Sequence, residues 1–221
     1  MNYPSKIIKI YVERFESSFP KDYDRYMTYT GRIANTQVNS IDVDVVKEAI
    51  RPFLNGWGGM GRFLGQSQCR EWEGKLAAEI RKHRKALQVF KATNLEKTVL
   101  SKRQLDVEKC YESFKSVLGN IGSAKALHLI CPNFFPAWDN PIANGIRDEI
   151  TNINDKDKIK SFTGADYYRF MTEIQRLMKT HRSTLNGLSK KYHKSKLKIL
   201  DEFLWWAANR PMSVLTILQQ P

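Results

Sequence analysis

In the stretch VLGNIGSAKALHLICPNFFPAWDNPI, Val117 to Ile142, a glycine-bearing turn (Gly119, Asn120, Ile121, Gly122) precedes a short apolar segment with one lysine, Lys125. Gly119 and Gly122 permit backbone angles closed to most residues, and Asn120 tolerates a left-handed conformation. Between two helices, such a turn can present successive N–H groups at the start of the second helix, where the dipole favours an anion. Gly119, Asn120, Gly122 and Ser123 are therefore candidate phosphate contacts; an ordinary αα-hairpin is the alternative. A Pro/Phe loop follows, and Trp138-Asp139-Asn140-Pro141 has the order of a helix start, with Asp139 as N-cap and Pro141 where a missing N–H does little harm.

Outward from this stretch the pattern is helical. Ile7, Ile8, Tyr11, Val12 and Phe15 predict a helix over Ile7–Phe19, closed by Pro20. The tyrosine-rich segment Lys21–Asn39 carries no secure assignment. Ser40 or Asp42 can cap a helix bearing Val43, Val46 and Ile50, which Pro52 should kink or end. Gly56, Gly58 and Gly61 formally match G-x-G-x-x-G, but no strand precedes them and no Lys-Ser/Thr follows, so a turn with Trp57 packed inward is expected. Glu71–Phe90 is the longest clear helix, with Arg81, Lys82, His83, Arg84 and Lys85 on its outer, solvated face. Leu105–Leu118 leads into the turn, Ser123–Cys131 follows it, and Asp139 opens a helix to about Ile150. Asn152–Lys160 is a surface linker, Gly164–Met178 is helical, and a final helix over Leu197–Asn209 ends before Pro211. No useful strand pattern and no internal repeat appear. The fold class is all-α, with two helical lobes expected (about 40–150, and 1–39 with 151–221) and the turn near their junction.

The chain has 221 residues, enough for a substantial core, and its 42% hydrophobic content belongs to a folded protein. Net charge is +13, with pI ≈ 9.6, which favours polyanion partners, nucleic acid before an anionic membrane surface. From Ile174 to Leu200 there is no acidic residue, while Arg176, Lys179, Arg182, Lys190, Lys191, Lys194, Lys196 and Lys198 all fall there. Lys190, Lys191 and Lys194 are candidate nucleic-acid contacts. Three dispersed cysteines (Cys69, Cys110, Cys131) argue against a disulfide framework and a four-cysteine metal site, so no metal and no cofactor are expected. No signal peptide or membrane span is read, and an intracellular location, cytoplasmic or nucleoid-associated, is expected.

The run Leu118-Gly119-Asn120-Ile121-Gly122-Ser123-Ala124-Lys125-Ala126 resembles the helix-hairpin-helix of base-excision DNA glycosylases, whose pattern is L-P-G-V-G-x-x-(T/S/K)-A. Phe134-Phe135-Pro136-Ala137-Trp138-Asp139 matches the order of that family's next segment, a proline loop leading to an aspartate at a helix start. The likeness covers Lys115 to Ile150 in detail. Gly119 stands where the family has proline and Asn120 where it has its first glycine. Lys125 falls one residue after the family's Schiff-base lysine, about 100° around a helix, and the Lys125-to-Asp139 spacing is shorter than usual.

The resemblance implies an all-α, two-lobed fold and a duplex DNA partner with a damaged base, flipped out for removal. Trp138 would stack on that base, and Asp139 would stabilise the cationic sugar or orient the nucleophile. Lys125 would attack as a free amine, which adds lyase activity; otherwise Asp139 would activate water. Each residue also has a structural role open to it: Asp139 as N-cap, Lys125 as a snorkelling lysine, Trp138 as a core anchor, and His128 as a packing histidine. A non-catalytic helical nucleic-acid-binding protein is the alternative, and a protein-interaction module the third class. Oligomeric state is not legible.

Overall fold

A computed structural model of the chain describes residues 3–65, 71–145 and 162–209. They form an all-α fold without strands among the described residues. The α-helices are α1 (Ser5–Ser18), α2 (Asp22–Ala34), α3 (Val43–Val45), α4 (Arg51–Asn55), α5 (Gly61–Leu64), α6 (Trp72–Lys82), α7 (Arg84–Lys91), α8 (Gln104–Ile130), α9 (Asn140–Gly145), α10 (Gly164–Thr180), α11 (Arg182–Tyr192) and α12 (Lys196–Asn209). Their buried apolar faces converge on one cluster that runs from Ile7 to Trp206.

Local chemistry explains most boundaries. Thr163 and Asp166 form a reciprocal capping box that starts α10. Asp42 accepts from the N–H groups of Asp44 and Val45 and starts α3. The chain then widens into a π-helical turn, Val46–Ile50, ahead of Pro52, and this passes the proline's missing N–H without ending the helical run.

Several expectations are corrected. Lys21–Asn39 holds α2, whose Tyr26, Thr30 and Ile33 share a buried face. Glu71–Phe90 is two helices, α6 and α7, broken at His83, whose φ of −97° and ψ of 10° leave the helical region. Among the described residues the longest unbroken helix is instead α10, with 17 residues; α8 is a run of 27 residues made of two helices that meet at a kink, as the expected turn requires. Only Gly119 is non-helical within it (φ 69°, ψ −179°), so helical chain continues on both sides of the turn. Arg182–Tyr192, read only as a basic tract, is helical. The expected linker Asn152–Lys160, the stretch to Ile150 and Pro211 lie outside the described residues. No helix among the described residues is long and apolar enough to cross a membrane.

Two packing arrangements position the site. α1 lies along α12 through Tyr11–Phe203 and Phe15–Trp205 ring contacts. Trp138, just before α9, packs on Tyr111 of α8 and on Tyr167 and Phe170 of α10. Aromatic contacts of this kind combine large buried area with defined geometry.

Candidate active site

The turn in α8 is organised by one carbonyl. Asn120 O accepts from Ser123 Oγ at 2.7 Å, Tyr111 OH at 3.2 Å and Trp138 Nε1 at 3.3 Å. Sequence-distant Trp138 is thereby tied to the turn, and the loop before Asp139 gains a fixed anchor. Gly119 needs its glycine for a positive φ. Gly122 needs it for space, because a Cβ would come within 2.8 Å of Leu118 Cβ and 3.0 Å of Met60 Cε. Gly119 and Asn120 are half-buried, whereas Gly122 and Ser123 are wholly buried. A phosphate approaching here meets the first part of the turn only.

Asp139 stands at the start of α9, where Oδ1 accepts from Ile142 N at 3.0 Å. This is the N-cap geometry expected of it. Its carboxyl is nevertheless pushed above the usual aspartate range by burial, against the opposing pull of the Ile142 N–H and the Lys125 charge. Lys125, on the second half of α8, donates from Nζ to Gly58 O at 2.7 Å. Burial lowers its ammonium below the usual lysine range, opposed in part by Asp139 and Asp201. The glycine turn 55–61 therefore holds the lysine through a backbone carbonyl. Trp57 packs inward as expected, stacked on Phe53 at 5.1 Å between ring centroids.

Lys125 and Asp139 line one cleft of about 290 Å³. One wall comes from the turn 55–61, α8 and the loop into α9, with Trp57, Lys125, Trp138 and Asp139. The rest of the lining comes from α1, α2 and α12, with Phe15, Asp22, Lys198 and Trp205 among its side chains; Asp22 and Lys198 sit against the Trp57 ring edge and face. Trp138 borders the cleft but is fully buried; it is an anchor whose ring is already enclosed by Tyr111, Phe162, Tyr167 and Phe170.

In the sequence Lys198 reads as one more cation of a basic tract. It is 1% exposed, with Nζ 3.1 Å from Asp201, 3.3 Å from Asp22 and 3.4 Å from Glu202. Its ammonium also lies 4.8 Å from the Trp57 ring centroid and 5.1 Å from that of Tyr26, close enough for cation–π attraction. Burial alone would lower its pKa, but Asp201, Glu202 and Asp22 outweigh it and hold Lys198 well above the usual range. One cleft thus contains a lysine kept charged and a lysine pushed toward its neutral form. Such separation is how neighbouring groups acquire different chemical roles.

The other predicted cations lie elsewhere. Lys194 is buried, and its ammonium is shared by Glu16 and Glu202. Lys191 pairs with Glu13 at 2.9 Å, and Lys190 is exposed. Arg182 and Lys196 both pair with Glu96, at 2.8 and 2.6 Å. Much of the tract's charge is therefore taken up by acids from distant parts of the chain, and none of Lys190, Lys191 and Lys194 lines the cleft. His128 is a core histidine: Nδ1 donates to Phe135 O at 2.8 Å, which leaves Nε2 to accept from Tyr26 OH at 2.9 Å. Among the described residues no group of His, Cys, Asp and Glu is arranged to hold a metal ion. No protein-family model, curated protein or solved structure matches the chain.

Proposed function

We propose that the chain is a DNA base-excision glycosylase with lyase activity, acting on a base flipped into the cleft. The observation that carries this reading is that Lys125 and Asp139, fourteen positions apart, line one aromatic-walled cleft in which burial lowers the lysine pKa and raises that of the aspartate, which eases proton transfer from the first to the second. The cleft draws Trp57, Lys125, Trp138 and Asp139 from the 40–150 part of the chain and Phe15, Asp22, Lys198 and Trp205 from the rest, which suits a two-lobed reading without establishing it.

On this reading the Lys125 ammonium gives its proton to Asp139 and attacks the anomeric carbon of the extruded nucleotide. A C–N bond forms, the glycosidic bond breaks, and the base leaves with the electron pair and takes a proton. Ring opening gives an iminium, and loss of a C2′ proton then expels the 3′ phosphate. The Gly58 carbonyl is no obstacle, since a neutral amine can donate one N–H to it and keep its lone pair for attack. Lys198, held cationic and enclosed by acids, contributes field and not nucleophilicity.

Borohydride trapping on a duplex carrying an abasic site tests the proposal. A covalent adduct should form with the parent and vanish in Lys125→Ala. Asp139→Asn should slow strand cleavage about 10²-fold or more while duplex affinity stays nearly unchanged. An adduct that survives Lys125→Ala removes the lysine from the chemistry. Tight, salt-dependent binding without any adduct or base release would assign Lys125 to its Gly58 hydrogen bond and make the chain a non-catalytic nucleic-acid-binding protein.

A further inference from the structure

The break between α6 and α7 has a use that the cleft does not explain. At His83 the chain turns, and its ring is tethered to α8 by a 2.8 Å contact between Nε2 and Ser113 Oγ. The end of α6 and the start of α7 then flank a depression of about 860 Å³, whose far side is Arg103 and Asp106 at the beginning of α8. Arg81, Lys82, Arg84, Lys85 and Arg103 line it, against the one acid Asp106. Ala78, Ala86 and Val89 provide the small apolar surface between them.

The depression does not stand alone. Arg103 is shared with a neighbouring hollow that adds Lys97 and Lys102. Arg81 and Arg84 are shared with another beside Asn39. These shared arginines join the three hollows into one trough, with Asp106 and Asp42 as the acids of its lining. Its cations differ from those of the 176–198 tract. There, glutamates from α1 and from the segment before α8 are paired with the lysines and arginine. In the trough Lys82 pairs with Glu79 at 3.1 Å, an i,i+3 surface contact worth little, while Arg81, Arg84 and Lys85 are exposed at the break.

We propose that this trough binds the phosphodiester backbone of duplex DNA, as a contact surface separate from the cleft. Several hydrated cations in a line suit a ligand with repeating charge better than a single anion. Concavity favours a strand over a membrane, because cations on opposite sides of a trough cannot all reach a flat surface. Arginine predominates at the break, and its fork matches phosphate oxygens. The trough and the cleft share no lining residue. Asp106 and the turn at Gly119 are separated by most of the first half of α8, about 18 Å from Asp106 to Leu118 at 1.5 Å per residue. A bound duplex would therefore be gripped at two places. The inference rests on the nucleic-acid half of the proposed function and not on its chemistry.

The test is the triple variant Arg81→Gln, Arg84→Gln, Lys85→Gln, whose exposed side chains can change without loss of the fold, as an unchanged melting curve would verify. Affinity for an undamaged duplex is measured against NaCl concentration. Losing three phosphate contacts should weaken binding tenfold or more and reduce the slope of log K against log salt by about 2.7. An unchanged affinity and slope would overturn the proposal. So would a variant that loses binding to phosphatidylserine vesicles and keeps its duplex affinity. Lys125→Ala and Asp139→Asn should retain the parental slope, so failure of the catalytic reading and failure of this one give different results.

Discussion

Replacing Lys198 with methionine should cost far more than its place in a lysine-rich tract suggests, and the cost should depend on pH. The side chain is 1% exposed and faces Glu202, which is 0% exposed, together with Asp201 and Asp22. Methionine preserves most of the volume, so the loss is electrostatic: acids gathered around a cation are left without it. Lys194 still reaches Glu202 at 2.7 Å, which moderates the effect. Breaking a buried pair from one side costs about 3–5 kcal/mol, and for a chain of this size about 2–4 °C of melting temperature per kcal/mol. The expected fall is therefore about 6–20 °C near pH 8. Burial raises the Glu202 carboxyl to about 7 even with Lys198 and Lys194 opposing it. In the parent, its contribution is fully present below the unfolded carboxylate range and is lost as pH rises through about 7. Without Lys198 the carboxyl titrates higher still, so the variant's deficit should shrink at pH 5, where Glu202 is neutral in both proteins. Adding Glu202→Gln should recover part of the loss at pH 8 and little at pH 5. Thermal melts at the two pH values decide it. A deficit equal at pH 5 and 8, or a fall below about 2 °C, would refute the reasoning.

Gly119→Ala should lower stability by about 1–3 kcal/mol through backbone conformation alone, since a Cβ there would sit 3.4 Å from Phe63 Cζ, an ordinary contact; an unchanged urea midpoint would show that the turn relaxes freely. Trp138→Ala should cost about 3–5 kcal/mol, because the ring is fully buried and its N–H serves Asn120 O, and a loss under about 1 kcal/mol would mean the anchor is dispensable. The His128 imidazole, lowered by burial despite the Asp201 charge, should remain neutral at pH values where an exposed histidine is half protonated, a state read directly by NMR titration. Its folded pKa lies below the unfolded one, so its contribution is present above about 6.5 and is lost as pH falls, and the acid side of the melting profile should decline accordingly.

What the sequence discloses here follows from the range of the interactions involved. Helical faces such as Ile7, Ile8, Tyr11, Val12 and Phe15 are local patterns and appear in the structure on a buried side. The Asp139 cap is local too: the donor is Ile142, three residues on. α2 escaped because its face is built from tyrosines, a threonine and a glycine-interrupted run, weak helix formers whose helicity comes from packing. The break at His83 was invisible because apolar spacing survives across it, from Leu76 and Ile80 to Leu87 and Phe90.

Charge was the least legible property, for a physical reason. A run of lysines states how many cations there are and nothing about which acids meet them. Lys191 and Lys194 find Glu13 and Glu16, nearly the whole chain away, whereas Arg81, Arg84 and Lys85, in a shorter run, are left exposed at the edge of a trough. Burial then separates otherwise equivalent lysines further. Lys198, with acids close by on several sides, is fixed as a cation; Lys125, with a carbonyl as its nearest partner, is released toward the amine. Both outcomes follow from the cost of an unpaired charge away from water, which a cluster of carboxylates offsets and a single carbonyl dipole does not. Of the two lysines in this cleft, Lys125 is the one whose pKa burial lowers, so under the proposed function exchanging Gly58 for a residue that moves its carbonyl should disturb the chemistry without touching either Lys125 or Asp139.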